Sequence, residues 1–261
     1  MIYITCALSA EARLFLDYYK LKQYTSLPFK VYESESVKLI ITGIGYTNAL
    51  LATTALLAHF TPSKNDIFLN IGIAAAPTQY PLNSLVVAHK LLYNENTFYP
   101  DVLFSHNHEE ADLRSVDLAQ SYTSDTLVDM EAYGVFQAAS RFLHLQQISI
   151  IKIISDHFNP ESVTKDSILK NFTSNKNDIF ELIQQIQAVQ NNPIPFNGNE
   201  LMLINKHQEI FTKSQAQQFL DACYFFHLKH KNVLPLQEIS LLKSKRERGE
   251  YLETIIQQLT Q

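Results

Sequence analysis

The chain is predicted to be an α/β protein, a mixed central sheet flanked by helices, with a small helical appendage at its C-terminal end. Three features predict this. The run Ile148–Ser155 (ISIIKIIS) is apolar and β-branched with almost no alternation, as in a strand covered by helices on both faces. Runs of that kind alternate with Ala/Leu-rich helical segments over residues 1–189. Beyond the breaker stretch Asn191-Asn-Pro-Ile-Pro-Phe-Asn-Gly198 only helical spacing remains.

Taken in order, Ile2–Leu8 reads as a strand leading into a helix near Ala10–Tyr19, with Ser9 at the N-cap position. Pro28–Glu33 and Val37–Thr42 read as strands, the second ending at the Gly43/Gly45 turn. Thr47–His59 is a helix stopped before Pro62. Asp66–Ile71 and Leu85–His89 are strands. Residues 91–126 are polar and irregular, with strand-like pieces. Met130–Leu143 reads as helix, Ile148–Ser155 as strand and Lys165–Gln190 as one or two helices. The expected division is an α/β domain over 1–189 and a linker plus helices over 190–261. In the latter, Ser214–Lys229 and Leu236–Leu259 place Phe219, Cys223, Phe226, Ile239, Leu242, Tyr251 and Ile255 near helical spacing. Such faces need the α/β body, a second subunit or another protein to cover them, and docking on the body or a dimer mate is expected.

Composition narrows the function. Cys6 and Cys223 lie far apart without metal-ligand spacing, as in a reducing compartment. No signal-peptide pattern opens the chain, and no apolar run approaches the ~20 residues that span a bilayer. A cytoplasmic protein without a membrane partner is expected. Of the net charge of −5, residues 1–189 hold 13 Lys/Arg against 19 Asp/Glu, which argues against a broad nucleic-acid surface there. The cluster Lys243-Ser-Lys-Arg-Glu-Arg248 reads as a solvated helix face in preference to a nucleic-acid or acidic-partner site.

Asp156 ends the Ile148–Ser155 strand, and ligands of open α/β sheets gather at such ends. Alone, it could equally start a turn or cap the next helix. Five segments taken together decide between these. They are Ile2-Tyr-Ile-Thr-Cys-Ala-Leu-Ser-Ala-Glu11; Thr42-Gly43-Ile44-Gly45 with Asn48-Ala49; Asp66 to Ala76 (DIFLNIGIAAA); Val128-Asp129-Met130-Glu131 opening a helix; and Ile154-Ser155-Asp156. In that order over residues 1–187 they resemble the nucleoside phosphorylase and nucleosidase superfamily, and in particular the methylthioadenosine/S-adenosylhomocysteine nucleosidases. The resemblance implies a nucleoside phosphorylase-like fold. Nothing in residues 190–261 shares it.

The resemblance also implies an activity, hydrolysis of the N-glycosidic bond of a purine or 5′-modified purine nucleoside. Asp156 would protonate the purine at N7, since a carboxyl in apolar surroundings can hold a proton near neutral pH. Ser155 would orient it or bond the base edge. Glu131 would accept the ribose hydroxyls and stabilise positive charge on the sugar, and Met130 would pack on the sugar face. Glu11 would activate the attacking water. Without those motifs, Met130 reads as core and Glu131 as a first-turn helix residue. Neither a metal nor an organic cofactor is implied. Relatives commonly pair, so a homodimer is expected, with Asn94–Pro100 reaching a neighbour's site.

Phosphorylases of the superfamily carry a Gly-rich phosphate loop and arginines. Here Leu8-Ser-Ala-Glu11 stands instead, and the body has only Arg13, Arg114 and Arg141. Three departures keep open a phosphorylase, or a degenerate nucleoside-binding module with a partner-docking tail. Ile73 stands where a serine hydroxyl normally holds water or phosphate. Ala75 and Ala76 replace glycines. The stretch between Leu85 and Val128 is short, leaving Ser115-Val-Asp117-Leu-Ala119 as the base-binding match, with Leu118 or Ala119 facing the purine. A polar loop is the preferred reading of His106-Asn-His108-Glu109-Glu110 over a metal site, because no further ligands follow from spacing. His157 either lines the site or begins the turn.

Overall fold

The computed structural model describes residues 1–119, 121, 123–190, 196–230, 234–236 and 244–260. The chain divides into two compact units, Met1–Asn191 and Asn192–Gln261.

In the first unit the apolar runs form the centre of a mixed sheet. Strand β1 (Ile2–Cys6) lies parallel to β4 (Val37–Ile41) on one side and β5 (Ile67–Ala75) on the other. Beyond β4 the sheet continues antiparallel through β3 (Lys30–Glu33) and β2 (Lys22–Tyr24). Along its length β5 pairs in parallel with β10 (Ile148–Asp156). Next come β6 (Leu85–Tyr93), antiparallel to β10, then β8 (Glu109–Ser115) and β9 (Leu127–Asp129), with β7 (Asn96–Phe98) hairpinned onto β6. Because β9 returns to β5 at Ala75↔Val128, the strands β5, β10, β6, β8 and β9 close into a ring.

Helices cover both faces. On one, α2 (Tyr46–Phe60) and α3 (Ala132–Ala139) bring Ala52, Leu56, Val135 and Phe136 against Phe68, Val86 and Ile150. On the other, α1 (Ser9–Tyr18), α4 (Lys165–Ser174) and α5 (Lys176–Gln190) bring Phe15, Phe172, Ile179 and Leu182 against Ile4, Leu69 and Ile151. Strands buried on both faces are what the unalternated apolar runs require.

Several boundaries differ from expectation. Ser9 lies inside α1; the N-cap is Leu8, whose N–H is taken by the Glu11 carboxylate at 2.9 Å. The stretch 91–126, read as irregular with strand-like pieces, holds the end of β6 and all of β7 and β8. Helix α3 is shorter than Met130–Leu143, because Leu127–Asp129 pairs as a strand and Met130-Glu131 form the turn into the helix.

The second unit, taken alone, contains α6 (Gly198–Gln208), α7 (Lys213–His230) and α8 (Lys245–Thr260) among the described residues. Helix α6 was not expected, and residues read as linker start it. Asn197 is its N-cap, accepting N–H bonds from Asn199 and Glu200 at 3.0 Å each. Residues 234–236 are not helical, and Ile239 and Leu242 fall outside the described residues. Phe196, Ile204, Phe219, Cys223, Leu252, Ile255 and Leu259 bury one another. The apolar faces expected to need a partner thus form a core of their own.

Candidate active site

The last residues of β5 and β10, the segments following β1 and β10, and the β9–α3 turn line a cavity of about 690 Å³. Glu11, Ile73, Ala119, Met130, Glu131, Ser155 and Asp156 all line it. Leu118 does not: it is 77% exposed, because Ser115 and Val116 are pinned to Asp129 (Ser115 Oγ–H on Oδ1 at 2.6 Å, Val116 N–H on its carbonyl at 2.8 Å) and the chain then turns outward. Val116 lines the cavity in that region.

Asp156 is delivered by β10. The register runs Ile154↔Ala74 and then Asp156↔Ala75, so Ser155 is an extra residue in the strand. Such a bulge re-aims side chains, and both Ser155 and Asp156 reach the cavity. The Asp156 carboxylate accepts Ser155 Oγ–H at 2.6 Å on Oδ1 and Asn159 N–H at 2.8 Å on Oδ2. Ser155 is itself held by the Ala74 carbonyl at 3.2 Å. His157 turns to the Ala76 carbonyl, 2.9 Å from Nδ1, and is absent from the lining; it belongs to the turn.

Glu11 is buried at the start of α1. Its Oε1 accepts Ile73 N–H at 3.0 Å and its Oε2 accepts Leu8 N–H at 2.9 Å. The close approach to β5 depends on Gly72, where a Cβ would lie 3.0 Å from Glu11 Oε1. Burial pushes the Glu11 carboxyl above its ordinary range, against the pull of the Leu8 N–H and the Lys152 charge. Glu131, in the turn before α3, accepts Gly45 N–H at 2.8 Å. Gly45 has φ +96°, in the region that favours glycine. Burial, with Asp129 beside it, pushes Glu131 up to about 7.

Two residues that sequence reasoning passed over complete the arrangement. Lys152, fully buried in β10, donates to Asp129 Oδ2 at 2.8 Å. The sequence signal for Lys152 was present: a lysine inside Ile150-Ile151-Lys152-Ile153-Ile154 has to find a partner if that strand is buried on both faces. Asp129 stood within the Val128–Glu131 motif, where only Met130 and Glu131 drew a role. Elsewhere His106 Nε2 lies 3.6 Å from Glu110 Oε1, and among the described residues no three His, Cys, Asp or Glu side chains are grouped to hold a metal ion.

A nucleoside phosphorylase-like α/β fold, with four buried carboxyls (Glu11, Asp129, Glu131 and Asp156) around one cavity at its strand ends, is the class that fold and site define. The chain resembles solved structures of 5′-methylthioadenosine/S-adenosylhomocysteine nucleosidases. With the Neisseria meningitidis enzyme, in complex with methylthio-immucillin-A, it shares 18% identity and a TM-score of 0.55 over 72% of this chain and 96% of that one. The Streptococcus pneumoniae enzyme, with a transition-state inhibitor, gives 18%, 0.57, 72% and 99%. The S-adenosylhomocysteine nucleosidase of Streptococcus pyogenes gives 16%, 0.57, 74% and 97%. At these identities the likeness is one of fold. No protein-family model and no curated protein matches the chain.

Proposed function

We propose that the protein hydrolyses the N-glycosidic bond of a purine or 5′-modified purine nucleoside. The observation that carries this reading is the convergence of Glu11, Glu131 and Asp156, all buried, on one cavity. Water's oxygen bonds to C1′ and its proton passes to Glu11. The glycosidic electron pair leaves with the purine, which takes a proton at N7 from Asp156. Glu131 grips the ribose hydroxyls and faces the positive charge that builds on the sugar. Met130 packs on the sugar, Ser155 holds Asp156, and Ala119 borders the base. The fold-sharing structures in complex with methylthio-immucillin-A and 5-methylthiotubericidin support a 5′-modified nucleoside as substrate.

Hydrolysis is favoured over phosphorolysis because the cavity lining presents Glu11 and no arginine. Incubating the chain with a nucleoside panel, with and without phosphate, tests this. Free ribose in both arms is the expected product; a strict phosphate requirement with ribose 1-phosphate would make the protein a phosphorylase. The second reading, a nucleoside-binding module without turnover, rests on Ile73, which lines the cavity where relatives offer a serine hydroxyl. Binding of nucleosides with no base released would establish it.

We also propose a cytoplasmic homodimer in which Asn94–Pro100 meets the neighbouring subunit. Phe98 and Tyr99 of that segment are exposed, and the two free cysteines accord with a reducing compartment. Among the described residues no helix is long and apolar enough to cross a membrane.

A further inference from the structure

Lys152 has no part in the reaction above, yet it is 1% exposed in the middle of β10. A buried ammonium is costly unless its charge is met. Here it is met by Asp129, whose carboxylate also clamps the start of α3. Asp129 Oδ2 accepts Lys152 Nζ–H and Ala132 N–H at 2.8 Å each. Its Oδ1 accepts Ser115 Oγ–H at 2.6 Å, and Ser115 Oγ in turn accepts Tyr133 N–H at 2.9 Å. Between Asp129 and Ala132 lie only Met130 and Glu131. The ion pair therefore anchors both ends of the turn that carries Glu131 into the cavity.

The opposite strand fits the same arrangement. Lys152 is paired in register with Gly72 of β5, and paired residues of neighbouring strands share a face. That face is where Glu11 Oε1 rests, 3.0 Å from the position a Gly72 Cβ would occupy. Three cavity carboxyls, Asp129, Glu131 and Glu11, thus surround one buried cation.

We propose that Lys152 is a positioning residue for the N-ribosidase reaction: anchored on Asp129, it fixes the Asp129–Ala132 turn and supplies the charge that lets Glu131 act as an anion beside the ribose. The proposal rests on the ribosidase reading of the site. The groups facing Glu131 are Asp129 of its own segment, Lys152 of β10, Glu11 of α1 and the Gly45 N–H. The two carboxylates disfavour its charge, and Lys152 opposes them. Lys152 itself loses charge stability by burial, which Asp129, Glu131 and Glu11 together outweigh.

The test uses the full chain with Lys152→Met and Lys152→Arg. The Glu131 carboxyl is followed by carbon NMR through its titration, and kcat and KM for base release are measured across neutral pH. In Lys152→Met the Glu131 midpoint is expected to rise by about one unit or more. Its kcat should fall by about 10- to 100-fold, outweighing any rise in KM. Lys152→Arg, which keeps the charge, should restore both. An unmoved Glu131 midpoint in folded Lys152→Met overturns the proposal, and this readout needs no turnover. It is thus separable from the ribosidase reading, which fails instead if the unsubstituted chain releases no base. Should Lys152→Met not fold, Ser115→Ala cuts the clamp without stranding a charge. A kcat loss of the same kind supports the proposal, and an unchanged kcat overturns it.

Discussion

At the scale of single residues, the cavity sorts its carboxyls by what holds them. Asp156 is fixed by one hydroxyl and one backbone N–H, so an amide of the same shape fits its place but cannot pass a proton to a base. Asp156→Asn is therefore expected to keep the fold, read by circular dichroism, while base release drops on the order of 10²–10⁴-fold. Near-normal turnover by the folded variant would remove Asp156 from the acid role. Glu131 sets a pH dependence. In the proposed reaction it acts as an anion, and burial with Asp129 nearby pushes it up to about 7, so kcat/KM should fall as pH drops through about 7. Stability runs the other way. The folded chain holds this proton up to about 7, whereas the unfolded chain releases it near the ordinary 4.5. Folding is thus penalised increasingly as pH rises across that window and levels off above it. Melting temperatures of the unsubstituted chain and of Glu131→Gln, compared from acid to neutral pH, should show the variant lacking that part of the decline. Parallel curves would mean that Glu131 does not titrate there.

At the scale of elements, what was legible in the sequence was what burial writes into composition. The strands β1, β4, β5 and β10 are apolar because both faces are covered, and α2 shows its helix through Ala and Leu. Strands β2 and β7 were not legible: each has three residues, mostly exposed, and exists because a neighbour offers a ladder. Helix α6 was masked by Pro and Gly just before it, although Asn197 followed by Glu200 is a capping pattern. At the site, the carboxyls were readable from motif order. Leu118 was misplaced because a two-residue ambiguity in a loop is resolved only by the Ser115–Asp129 bond. Gly134 shows how tightly the elements meet. A Cβ there would lie 2.5 Å from the Tyr46 carbonyl oxygen, where α3 crosses the start of α2. Backbone cannot yield as a side chain does, so Gly134→Ala should destabilise the chain by about 1–3 kcal/mol, measured by denaturant unfolding. A neutral result would show that α2 and α3 separate without cost.

At the scale of the whole molecule, the two units differ in what they contain. Every cavity-lining residue, from Ala7 to Ile168, belongs to Met1–Asn191, and that unit closes its ring of strands without any residue from the tail. The tail has its own buried core, and Glu200 and His207, buried in it, are bonded within it. Glu200 accepts the Leu234 N–H at 2.7 Å and the Asn197 N–H at 2.8 Å, while His207 bridges the Leu203 carbonyl and the Tyr251 hydroxyl at 2.7 and 2.8 Å. A unit with its own core can fold as a unit. A chain ending at residue 190 is therefore expected to fold and to release base with Glu11, Glu131 and Asp156 in place, and its thermal unfolding should lose one transition relative to the full chain. His207→Ala in the full chain should weaken only that transition, since it empties a buried ring position and removes the ring nitrogen that partners the Tyr251 hydroxyl. If the shortened chain is insoluble, or folds but releases no base, the tail supports the Met1–Asn191 unit directly. If His207→Ala lowers both transitions together, the two cores unfold as one.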